Sequence, residues 1–186
     1  IYNTCLEIWH NRSLVYIQFA QREVYLLERM LTEKQSRNIS QTVSAMGAEV
    51  RSFFQKGAAD VHQMTLRPPV YALTRERQAS IQQGLLSLRS CEIRARRAEI
   101  MPSLEDLISN QTFSQQKAET LLKKLADIQV ALYQFIDSVE NNTAGMDKDF
   151  LQNLLFNLQY ETFALQYNLG TLQYRKAWYL WQQARR

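Results

Sequence analysis

Glycine and proline are scarce, with five and three in 186 residues, so the chain has few places to turn sharply. No segment alternates apolar and polar residues over the length of a strand, which leaves a sheet without sequence support. Two cysteines, Cys5 and Cys91, are too few and too far apart for a disulfide framework. They are expected as small apolar residues on helices, in a reducing compartment. The two histidines, His10 and His62, have no neighbours at metal-ligand spacing, so no metal site is expected. Gly-rich phosphate loops, a nucleophile elbow and carboxylates paired in an apolar pocket are also missing, so neither an enzyme nor a cofactor is expected. There is no signal-peptide pattern and no uninterrupted apolar run long enough to span a membrane. The least charged stretch, Phe150 to Tyr174, carries only Glu161 but is studded with Asn and Gln. A segment of that kind is buried in protein, not in lipid. Four Asn-x-Ser/Thr triplets occur, at Asn11, Asn38, Asn110 and Asn141; three lie in or beside expected helices, and they are given little weight.

Leu, Gln, Arg and Ala are plentiful, and with so few breakers they imply long helices. The strongest break is Leu66-Arg67-Pro68-Pro69, because consecutive prolines remove donors and keep the preceding residue out of the helical region. Asn141 to Gly145 is the second, with Asp147 as the expected N-cap beyond it. Pro102 is a third. Ser103 with Asp106 there forms a capping-box pattern, and Thr112 with Gln115 allows another interruption near Asn110. The expected elements are therefore helix A over 2–65, B over 70–101, C over 104–140 and D over 147–184. Because the chain opens on Ile1 and not on Met, it is expected to be one elongated helical domain excised from a larger protein.

By the 1.5 Å rise per residue, A would span roughly 95 Å, and B with C about as much. Short connections make successive helices antiparallel. The expected fold class is all-α, an elongated antiparallel helical bundle or coiled coil. One end would be a three-helix bundle of the first half of A with C and D. The other would be a two-helix stalk tipped by Pro68-Pro69. Heptad spacing supports this in the second half of A (Ile39, Val43, Met46, Val50, Phe53) and, without a gap, in C. The C seam is Ala118, Leu121, Leu125, Ile128, Leu132, Phe135 and Val139. Helix B is poorer, with small residues on one stripe.

Helix D carries two stripes. One is Leu151, Leu155, Leu158, Thr162, Leu165, Leu169 and Leu172; the other is Phe156, Tyr160, Phe163, Tyr167, Gly170, Tyr174, Ala177 and Trp181. Neighbouring members differ by two positions, about 200° around the axis, so the stripes lie nearly opposite. Two readings stay open: D is wedged between A and C, or its aromatic face meets another chain, a second copy, or a part of the parent protein outside this sequence. Tyr160, Tyr167, Tyr174, Trp178 and Trp181 are the candidate protein-binding residues, and a dimer is one form that contact could take.

Residues 41–100 hold nine Lys/Arg against five acids, which accounts for the whole net charge of +4. Arg89, Arg94, Arg96 and Arg97 are the densest part. They form either a solvated helical face or a landing site for an acidic surface such as anionic lipid or a microtubule. Nucleic acid is not expected, since no zinc pattern or RNA-binding signature appears.

Residues 154–161, Leu-Leu-Phe-Asn-Leu-Gln-Tyr-Glu, resemble a run in the central coiled-coil region of the WHAMM/JMY actin nucleation-promoting factors. The likeness extends over residues 151–175. It implies a cytoskeletal adaptor whose coil engages membranes or microtubules, and it carries over no functional residue. The actin-binding tail of that family is not in this chain. The sequence thus points to a non-catalytic coiled-coil scaffold, a cytoplasmic cytoskeletal or membrane-trafficking adaptor. The alternatives are a membrane-binding module like the BAR domains and a helical effector of a small GTPase.

Overall fold

The computed structural model describes residues 2–33, 39–66, 74–109, 113–141 and 145–185. All the elements among them are helices: α1 (Tyr2–Glu33), α2 (Ile39–Leu66), α3 (Arg75–Ser109), α4 (Gln115–Asn141) and α5 (Lys148–Ala184). The all-α bundle is as expected. Its internal plan differs.

Cross-helix contacts fix the directions. Arg12 pairs with Asp60 and Phe19 stacks on Phe53, so α1 and α2 run antiparallel. Arg51 with Glu99, and Arg89 over the Phe54 ring, set α3 antiparallel to α2. Ser103 shares a cleft with Leu121, and Leu86 shares another with Phe135, which makes α4 antiparallel to α3. Glu119 with Lys176, and Tyr133 with Gln166, reverse α5 against α4. The five helices therefore alternate up and down. α1, α2 and α3 pack mutually as one three-helix unit, α3, α4 and α5 as a second, and α3 belongs to both.

This arrangement corrects the expected stalk. Helix A is two helices, with residues 34–38 between them outside the described set. α2 lies antiparallel along α1 instead of extending it. The longest spans are then those of α3 and α5, about 50–55 Å by the helical rise, not 95 Å. Helix D does not reach the first half of A; α5 packs on α3 and α4 alone. The Pro68-Pro69 tip lies outside the described residues.

The boundary between B and C also moves. α3 runs through Pro102 and ends at Ser109. An interior proline costs about 3 kcal/mol in an unsupported helix. Here Ile100 and Leu104 beside it are both buried, each contributing about 1.5–3 kcal/mol. Packing offsets the proline. The capping pattern at Ser103 goes unused. Ser114 takes that role for α4, accepting from the Lys117 amide at 3.4 Å, while Thr74 accepts from Arg77 N at 3.3 Å to open α3. Asp147 caps α5 as expected, its Oδ1 accepting from Phe150 N at 2.7 Å. Gly145, two residues before this cap, has a positive φ of 80°, which glycine adopts without steric cost.

α3 has no single apolar stripe because it serves two cores. Leu88, Cys91, Ala95 and Ala98 face α1 and α2, joining Ala20, Val24, Leu27, Val43 and Val50. On the opposite side Ile93, Ile100, Leu104 and Leu107 join the α4 seam and Leu154, Leu158, Leu165 and Leu172 of α5. Ser90 to Ile93 are four buried residues in succession, which only an enclosed helix can have. The helix wedged between neighbours is therefore α3, and α5 is not.

Cys91 sits at the first of these interfaces, and burial pushes its thiol up to about 11. In a Cys5→Ser background, Cys91 is expected to react with a thiol–disulfide exchange reagent at least about a thousandfold more slowly in the folded chain than in denaturant. Timed absorbance of the released reagent checks this; equal rates would place Cys91 at the surface.

Candidate protein-docking face

α5 buries one side and bares the other. The buried line is Leu154, Leu158, Glu161, Leu165, Asn168 and Leu172. Opposite it stand Phe156 (69% exposed), Tyr160, Phe163, Tyr167 (74%), Tyr174 (72%), Trp178 and Trp181 (51%). The five sequence-predicted binding residues, Tyr160, Tyr167, Tyr174, Trp178 and Trp181, thus share one solvent-facing ridge. Phe156 and Phe163 belong with them. Arg175 lies over the Trp178 ring at 4.8 Å and Arg185 over Trp181 at 4.1 Å, anchoring the C-terminal end of the ridge. The flanks are amides: Asn157, Gln159, Gln166 and Gln173 are exposed, and Gln166 Nε2 donates to the Tyr133 hydroxyl of α4 at 3.4 Å.

The ridge is aimed by a buried ion-pair network beneath Tyr160. Between α1 and α5, above α3, lies a cleft of about 530 Å³ lined by Glu28, Arg94, Arg97, Glu105, Tyr160 and Glu161 among others. Arg97 donates from Nε and Nη2 to Glu161 at 2.6 and 3.2 Å. Arg94 forks onto Glu28 of α1 at 3.0 and 2.6 Å, with its Nε 3.9 Å from Glu161. Burial works against the charge on Arg94, but Glu28 and Glu161 outweigh it and its pKa is raised. α1, α3 and α5 are cross-linked through one chain of charges.

On the other side of α3, Arg89 donates to buried Glu92 at 2.9 Å, and Arg96 pairs with the same carboxylate. All four arginines expected to meet an acidic surface (Arg89, Arg94, Arg96, Arg97) are therefore engaged by internal carboxylates. They sit mid-helix in a core element, not on a stalk. The residues missed from sequence are their partners: Glu28, Glu92 and Glu161. The one available signal was Glu161, an acid on the heptad line of Leu154, Leu158 and Leu165.

Glu99 is a further case. Desolvation raises its carboxyl above the ordinary 4.5, only partly offset by the hydrogen bond from Arg51. A raised folded value means that the stability Glu99 contributes is full below the unfolded value and declines as pH rises through the folded one. The parent should accordingly lose stability relative to Glu99→Gln as pH climbs above 4.5. Urea unfolding at a series of pH values checks the sign, and a parent that gains stability relative to the variant would contradict it.

Among the described residues no group of three or more His, Cys, Asp or Glu is placed to hold a metal, and no helix is long and apolar enough to cross a membrane. Compared with known proteins, the chain matches no family model, no curated protein and no solved structure.

Proposed function

We propose that the chain is a non-catalytic helical scaffold that docks onto partner protein through the aromatic face of α5. One observation carries this reading: eight large apolar side chains (Phe156, Tyr160, Phe163, Tyr167, Tyr174, Trp178, Leu180 and Trp181) stand exposed along one helix. Together they expose on the order of 900 Å², against about 300–600 Å² for the largest patch on a typical monomer. The ridge positions alternate by four and three residues, the spacing of a seam that receives another helix. Its flanks carry amides, so the fit is chosen by shape more than by charge.

The reading is supported by what the monomer leaves undone. Tyr and Trp give large contact areas at small entropic cost. The membrane-module alternative gains no support, because anionic lipid would have to compete with Glu28, Glu92 and Glu161 for the guanidinium groups. The likeness of residues 151–175 to an actin nucleation-promoting coiled coil extends the proposal to a cytoskeletal setting, which co-sedimentation with microtubules or filaments checks.

The docking face itself is tested with a photo-crosslinking residue in place of Tyr167, and a control at Lys123 on the exposed side of α4. A polypeptide adduct is expected at the first position and not the second, and it should be lost with Phe163→Gln. No adduct at either position in cells making the protein would end this reading.

A further inference from the structure

We propose that the occupant of the α5 seam is α5 of a second copy, running antiparallel, with Tyr167 of each copy seated over Gly170 of the other. This rests on the docking reading above and adds the identity and direction of the partner. The seam is Phe156, Tyr160, Phe163, Tyr167, Gly170, Tyr174, Ala177 and Trp181, and both of its small residues lie in the C-terminal half. Turn a second copy about the point midway between Asn168 and Leu169. Phe156 then faces Trp181, Tyr160 faces Ala177, Phe163 faces Tyr174 and Tyr167 faces Gly170. Each small residue receives a large one, as close packing requires. A parallel pair would set Gly170 on Gly170 and Ala177 on Ala177, leaving gaps, and would crowd Tyr167 against itself.

Gly170 is the second, independent observation. It is exposed near the middle of α5, and a Cβ added there meets nothing within 4 Å. Glycine weakens a helix interior, and no neighbour in the monomer asks for it. A ring from outside does.

Charge agrees. From Phe150 to Tyr174 the only residue charged at neutral pH is Glu161, which is buried, so two seams meet without repulsion. α5 opens on Asp147, Lys148 and Asp149 and closes on Arg175, Lys176 and Arg185. Antiparallel pairing in this register sets Arg185 opposite Gln152, one turn from Asp149, and opposes the helix dipoles; parallel pairing sets Arg185 beside Arg185 and Asp149 beside Asp149.

The test is sedimentation velocity on the purified chain over about a thousandfold range of concentration. A concentration-dependent dimer is expected. Gly170→Leu should keep the helical circular dichroism and melting of the monomer while weakening the dimer at least about tenfold. Gly170→Tyr should weaken it likewise, and adding Tyr167→Ala should restore it by exchanging knob and hole. For direction, Phe156→Cys and Trp181→Cys chains are mixed in a Cys5→Ser background. Antiparallel pairing gives the mixed disulfide. Parallel pairing gives only the two homodisulfides, Phe156→Cys with itself and Trp181→Cys with itself, since the two positions are about 37 Å apart along the helix. A monomer at every concentration, a dimer indifferent to Gly170→Leu, or homodisulfides alone would overturn the proposal. An adduct at Tyr167 with a different polypeptide would in that case leave the docking reading standing.

Discussion

Glu161→Ala is expected to lower the unfolding free energy by about 3–5 kcal/mol, the cost of stripping the partner from a buried charge. Glu161 is only 2% exposed, and the Arg97 side chain that forks onto it is 15% exposed. Without the carboxylate, Arg97 keeps its charge in a site water barely reaches. Arg94 is hurt less, because Glu28 still accepts two hydrogen bonds from it. Removing both charges is a different matter. Glu161→Leu with Arg97→Met should recover most of the loss, since an apolar pair of similar volume is often as stable as a buried ion pair. Lys176→Ala, which breaks a pair with the exposed Glu119, should scarcely register. Urea midpoints of the four chains decide this. If Glu161→Ala shifts the midpoint no further than Lys176→Ala does, water reaches Glu161 and the network is a surface one. The consequence for docking is direct: Glu161 follows Tyr160 in the chain and ties α5 to α3, so it sets where the ridge points.

How much of this was legible varies from helix to helix. α4 was read almost residue for residue: all seven positions of its gapless seam, Ala118 to Val139, are buried. Asp147 as a cap was equally plain, because its chemistry is local. The break between α1 and α2 was not, as the intervening Lys-Gln-Ser-Arg-Asn contains neither Gly nor Pro. α3 was misjudged because two opposed faces, each partly of small residues, average out to no stripe. In α5 both faces were visible, and the aromatic one, expected to meet a partner if either did, is the exposed one. The leucine-rich stripe through Leu151, Leu155 and Leu169 is turned slightly from the true buried line. That line admits Glu161 and Asn168, the first held by Arg97 and the second donating to Met101 Sδ at 3.3 Å. Such partners lie more than sixty residues away, and periodicity carries no information about them. The four arginines were counted correctly and placed wrongly for the same reason.

Because α3 belongs to both units, damage on one side should be felt on the other. Leu165→Ala should cost about 2–5 kcal/mol: the side chain is fully buried among α3 and α4 residues, and the vacated space cannot collapse completely. Leu165 packs far from α1 and α2, and neither of those helices packs on α5. Yet the amides of α1 and α2 should lose protection nearly in step with those of α4 and α5. Their shared core needs Leu88, Cys91, Ala95 and Ala98, and these stay in place only while α3 is helical through the polar segment Glu92 to Glu99 and past Pro102. α3 in turn depends on both sides. It carries an interior proline and two apolar faces, and losing either unit would leave one of those faces in water. Hydrogen exchange read helix by helix distinguishes the cases. A common shift means that the two units unfold as one body. If α1 and α2 keep their protection while α4 and α5 lose theirs, α3 stays folded on one core alone, and the second unit is a separable arm that presents the ridge.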